Sequence, residues 1–221
     1  MGHFTSKVAP NSKTISPICI PDVIPQPSYY TNYSMTHIEY VKANESWKLI
    51  LYGTGKHYKN LIEHNQLCES CIVWFYKTLY EQLFILLPDV KSLFRKHSTE
   101  VQGRMMVNMI SSMLESYYNP NILHQIHELT LKHIQYGIRS HHFYIMGEVL
   151  FYTLQYVLGT DYSIECDLAW KKMYSSMLRI TIPLCKTKEE NMAINKLLFD
   201  YHSKKDKDLS LSNISSLSEE N

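Results

Sequence analysis

The sequence predicts an all-α fold. Apolar residues recur at helical spacing over several long windows, and proline or glycine clusters cut those windows into segments of helix length. Nowhere does a sustained alternation of period two mark a strand. With 221 residues and 45% hydrophobic content, the chain can bury one core of ordinary size and still carry extensions at both ends.

Taken in order, residues 1–35 hold Pro10, Pro17, Pro21, Pro25 and Pro27 among serines, threonines and tyrosines. They form an arm expected to be irregular or disordered. Thr36 with Glu39 is a capping box, which starts a helix running past Trp47 to about Tyr52, where Gly53 and Gly55 break it. The polar stretch that follows, to Gln66, reads as an insertion with a short helix of its own. Ile72 to Leu87 is apolar at helical spacing, Pro88 interrupts it, and Asp89 to Phe94 forms a brief further turn.

From Val101 a methionine-rich helix presents Met106, Met109, Ile110, Met113 and Leu114 as one stripe, until Asn119-Pro120-Asn121 stops it. Ile122 to Gln135 is the next helix, with Ile126 and Leu129 inward, and Gly137 follows it. A helix restarting near His142 reaches Leu158 and is capped by Gly159. Asp161 or Ser163 caps a last helix through Trp170, Tyr174 and Leu178, which is expected to stop at about Ile182 before Pro183. Residues 36–185 therefore form the domain, with its insertion at about 53–66. Residues 186–221 are a mostly disordered extension.

Composition excludes several functions. The net charge is +1 without a basic stripe, which argues against nucleic acid. Apolar runs such as Leu83 to Leu87 are too short to span a bilayer, and no apolar leader precedes the arm, so a cytoplasmic location is expected. Five cysteines at irregular spacing are no disulfide framework. Cys68 and Cys71 lack the two further ligands a structural zinc site needs. The opening Met1-Gly2-His3-Phe4-Thr5-Ser6 fits the N-myristoylation pattern at Gly2. One such chain would give only weak membrane association, at the inner face of a membrane.

The stretch LKHIQYGIRSHHFYIMGEVL, residues 131–150, carries the chemistry. His133 shares a helical face with Leu129 and is either a hydrogen-bonded core histidine or an iron ligand. Three segments bear on the choice. They are Lys132-His133 with Gly137, Phe143 and Gly147-Glu148; LYEQLFILLPDVKSLF at residues 79–94; and Ala169-Trp170 with Tyr174. Together they resemble the globin family, in particular neuroglobins, bacterial single-chain haemoglobins and the haem domain of flavohaemoglobins.

The resemblance implies six to eight helices around a haem pocket, crossing at about 50°. It implies haem b as cofactor, with His133 as proximal iron ligand. The second imidazole nitrogen then needs an acceptor, and the backbone carbonyl of Leu129 is the natural one. Phe94 is implied to pack on the porphyrin, Gln102 and Tyr80 to be distal hydrogen-bond donors, and Met106 to lie over the ring. A second histidine ligand is open only through His97. Phe143 replaces a tyrosine and Cys185 a glutamate that support the proximal histidine in flavohaemoglobins. The implied function is binding, transport or sensing of dioxygen, nitric oxide or carbon monoxide, more in keeping with a non-enzyme. The alternative is a nitric oxide dioxygenase served by a separate reductase, because no G-x-G-x-x-G loop is present.

Overall fold

Seven α-helices make up the described part of the chain. The computed structural model describes residues 26–95 and 98–218, with side chains through residue 193 and at residue 196. The helices are α1 (His37–Tyr52), α2 (Lys56–Glu63), α3 (Cys71–Leu86), α4 (Thr99–Glu115), α5 (Asn121–Gln135), α6 (Ser140–Leu158) and α7 (Ile164–Ser218). Short 3₁₀ turns occupy Asp89–Phe94 and Gly159–Asp161, and among the described residues there is no strand. The all-α expectation is met. The Gly2 acylation pattern and His97 lie outside the described residues.

Helix α3 packs on α6, α1 on α7, and α5 and α6 both lie against α7. Their common core is aromatic. The Trp47 ring meets Phe75 edge-on at 5.2 Å and Trp170 at 6.1 Å, and both indoles are almost wholly buried. Each indole N–H has a partner: Trp47 donates to Ser111 Oγ and Trp170 to Ser46 Oγ. Large aromatic area is thus buried without leaving a polar atom unsatisfied.

Glu39 does two jobs at the start of α1. Its Oε2 accepts from the Thr36 N–H at 2.8 Å, closing the expected capping box, and its Oε1 accepts from the Lys172 ammonium on α7. Burial by itself would raise the carboxyl's pKa, but the Lys172 and Thr36 contacts outweigh it and hold the group below the usual glutamate value. A depressed carboxylate stabilises the fold above its ordinary pKa and stops doing so as the pH falls through the lowered one. Glu39→Ala should therefore cost about 1–2 kcal/mol at neutral pH. Urea unfolding should show the gap from wild type closing in acid.

Two expectations need correction. Helix α7 does not stop before Pro183 but runs through it to Ser218. Pro183 is exposed, so its ring and missing N–H fall on the solvent side. Ile182 and Cys185 are buried on either side of it. Beyond the proline, Glu189 Oε1 accepts from the Ser140 N–H at 2.9 Å and from its hydroxyl at 3.0 Å, so α7 caps the start of α6. Asp161 does not cap α7. Its Oδ2 accepts the Lys56 N–H of α2 at 2.6 Å, and Ser163 Oγ accepts the Cys166 N–H that opens α7.

The described end of the arm, residues 26–35, is irregular but pinned. Tyr29 is buried, donating its hydroxyl to the Tyr144 carbonyl at 2.8 Å, and the Arg179 guanidinium holds the Thr31 carbonyl at 2.8 Å. The stretch between α1 and α3 carries the short helix α2, as expected. Cys68 lies in the loop before α3, while the thiol of Cys71 is pushed up to about 12 by burial, so the pair is no reactive dithiol.

Candidate functional site

The site is an apolar cavity walled by the end of α3, the Asp89–Phe94 turn, α4, α5, α6 and α7, with about 810 Å³ of empty space continuous with solvent. Met106, Met109 and Met113 present the i, i+3, i+7 face of α4 to it, and Phe94, Leu129 and Phe143 line it from the turn, α5 and α6. Of the sequence-predicted residues, His133, Phe94, Met106, Leu129 and Phe143 are thus brought together.

His133 sits in the last turn of α5, half-buried at the cavity wall. Its Nδ1 lies 2.8 Å from the Leu129 carbonyl oxygen. A carbonyl only accepts, so Nδ1 carries a proton, and in the neutral ring Nε2 keeps the lone pair. The bond follows from helix geometry, since an i−4 carbonyl lies directly under a side chain tilted toward the N-terminus. After α5, Gly137 turns the chain at φ +92°, a conformation that favours glycine, and α6 brings the Phe143 ring to 6.1 Å from the imidazole.

His142, near the start of α6, also lines the cavity. It is both cap and wall. Its Nδ1 accepts the Arg139 N–H at 2.9 Å, so Nε2 carries the proton, which it directs toward Asp89 Oδ2 at 3.4 Å. Both ring nitrogens are committed, leaving His142 no lone pair for a metal. The Asp89 carboxyl, which partial burial would raise, is instead held low by His142 and by the Asp89 and Val90 backbone N–H groups. The two cavity imidazoles therefore have opposite tautomers, and only that of His133 suits a ligand.

The two expected distal donors do not line the cavity. Tyr80 donates its hydroxyl to the Gln102 carbonyl at 3.0 Å, and burial pushes its phenol up to about 12. The Gln102 amide in turn donates to the Phe94 carbonyl. Tyr80, Phe84 and Phe94 stack or meet edge-on with centroids 5.2–5.8 Å apart. These groups fasten α3, the 3₁₀ turn and α4 to one another.

On the other side of His133, Tyr174 is fully buried, lines the cavity and donates to the Phe143 carbonyl at 2.7 Å rather than to the histidine. Cys185 is buried and its thiol is raised to about 11 by burial, so no carboxylate stands at that position.

The residues present fit a haem group. An imidazole whose Nδ1–H is engaged by the Leu129 carbonyl, and aromatic and methionine walls, meet in one cavity. Comparison with known proteins agrees. Residues 77–180 match the family model described as Globin. Among solved structures, the chain is similar to an engineered carbene transferase from Rhodothermus marinus whose parent is provisionally assigned as a nitric oxide dioxygenase. The two are 22% identical with a TM-score of 0.52, and the match covers 74% of this chain and 99% of that one. That structural likeness shows the shared fold.

Proposed function

The chain carries a globin domain, and on that premise we propose that its cavity holds haem b, with iron ligated by His133 Nε2, and that the protein binds a diatomic gas there. The observation that supports this most is the Nδ1–H···O=C bond from His133 to Leu129 at the wall of the cavity. Once bound, haem supplies an iron centre able to take dioxygen, nitric oxide or carbon monoxide.

The protein's own groups do the rest. The Leu129 carbonyl orients the imidazole and keeps its tautomer fixed. Phe94, Met106 and Phe143 supply flat or deformable apolar contact that excludes water from the centre. A carbonyl acceptor polarises the imidazole less than a carboxylate would, and Cys185 adds no charge, so the proximal side suits reversible binding over bond cleavage. Tyr80 and Gln102 spend hydrogen bonds on backbone carbonyls. Tyr80→Phe should accordingly change the dioxygen release rate by under about threefold, while lowering stability by about 1 kcal/mol. Stopped-flow release and chemical denaturation measure the two effects.

The likeness to the Rhodothermus marinus protein favours one second reading, a nitric oxide dioxygenase supplied with electrons by a separate reductase. Sustained nitric oxide consumption with a generic reductase would support it, and a single stoichiometric turnover would leave gas binding or sensing. No helix among the described residues is long and apolar enough to cross a membrane. Acylation at Gly2 is proposed as a weak membrane tether for an otherwise cytoplasmic protein, and a myristate analogue fed to cells would label it.

The whole proposal is tested by titrating haem into the purified protein. One equivalent per chain, with an intense Soret band, is expected. Unsaturable, non-stoichiometric uptake would overturn it.

A further inference from the structure

Outside the cavity, the first half of α5 gathers two imidazoles and a carboxylate on its solvent side. His124, His127 and Glu128 place one ligand atom each within 4.8 Å of the other two, the one such group among the described residues. The spacing comes from the helix itself. Residues three and four apart share a face, so His124 meets both His127 and Glu128. The His127 and His124 Nδ1 atoms lie 3.4 and 3.9 Å from the same carboxylate oxygen, Oε1 of Glu128. The two rings stand 6.4 Å apart.

We propose that His124, His127 and Glu128 bind one divalent transition-metal ion of the zinc or copper(II) class. Zinc holds nitrogen and carboxylate oxygen at about 2.0–2.1 Å, and tetrahedral angles then set neighbouring ligand atoms about 3.3 Å apart. The His127–Glu128 separation of 3.4 Å is already at that value. The His124–Glu128 separation of 3.9 Å needs a few tenths of an ångström of movement, and the His124 side chain is 78% exposed and free to make it. Two imidazoles and one carboxylate suit zinc and copper(II) better than calcium or magnesium, which take oxygen ligands. Three protein ligands leave at least one position for water, so the ion is exchangeable. The positive end of the helix dipole opposes a cation here, but that effect fades beyond the first turn, and the Glu128 charge offsets it.

The alternative is a solvated helix face with no ion. Calorimetric titration of the full-length chain with zinc chloride and, separately, copper(II) sulfate distinguishes the two. One equivalent should bind, copper(II) more tightly than zinc. His124→Ala/His127→Ala should weaken that binding by about tenfold or more, whereas His64→Ala, at an exposed histidine on another segment, should leave it unchanged. Thermal unfolding gives a second reading, because an ion that binds only the folded helix raises the midpoint in wild type and not in the double variant. Circular dichroism confirms that the double variant is folded. Equal affinity and equal thermal shift in wild type and folded double variant, with both ions, would overturn the site. The test does not depend on haem.

Discussion

His133→Ala is expected to lower haem affinity on the order of 100-fold or more, about 2.7 kcal/mol of binding free energy. The cause is local. The variant loses the one cavity imidazole among the described residues whose Nε2 is not already committed, because the His142 ring spends Nδ1 on Arg139 and directs Nε2–H toward Asp89. His142→Ala should therefore retain haem with nearly wild-type affinity, despite its place on the same wall. Added imidazole should restore ligation to His133→Gly, because the space left at the end of α5 opens on the cavity. Haem titrations of the three variants make the comparison. Equal losses at His133 and His142 would show that apolar walls alone hold the group.

Gly147→Ala is expected to cost about 3 kcal/mol, the upper part of the range for overpacking a core. A Cβ at this position would stand 2.3 Å from the Tyr29 hydroxyl and 2.7 Å from Cε1 of Tyr174. Tyr174 is sealed in the core and cannot give way, so Tyr29 must leave. Its departure breaks the bond to the Tyr144 carbonyl and the edge-on contact with Phe151 at 4.9 Å, and frees the arm from α6 and α7. The two substitutions then act on one contact. In the pair Tyr29→Ala/Gly147→Ala the cost should be well below the sum of the singles. Additive costs in denaturant unfolding would show that the clash falls on Tyr174 instead.

What the sequence shows clearly is whatever the helix repeat governs. The caps at Thr36 and Gly159, the break at Gly137, the methionine face of α4 and the bond from His133 to its i−4 carbonyl are all local consequences of the α-helix. What it hides is assembled across long separations. Tyr29 sits in a proline-rich segment with no period of its own, and its partners lie more than 100 residues away on α6 and α7. His142 directs its Nε2–H toward Asp89, 53 residues earlier. Pro183 looks like a helix stop because the rule is local, whereas Glu189 reaching Ser140 is not. Tyr80 and Gln102 fall near their expected places, but the direction of a side-chain donor is decided by the nearest unsatisfied carbonyl, which no spacing records.

The most direct measurement on the site is resonance Raman spectroscopy of the ferrous, ligand-free, haem-loaded protein. An iron–histidine stretching band is expected in wild type, absent from His133→Gly and restored when imidazole is added. A band unchanged in His133→Gly without imidazole would contradict ligation by His133.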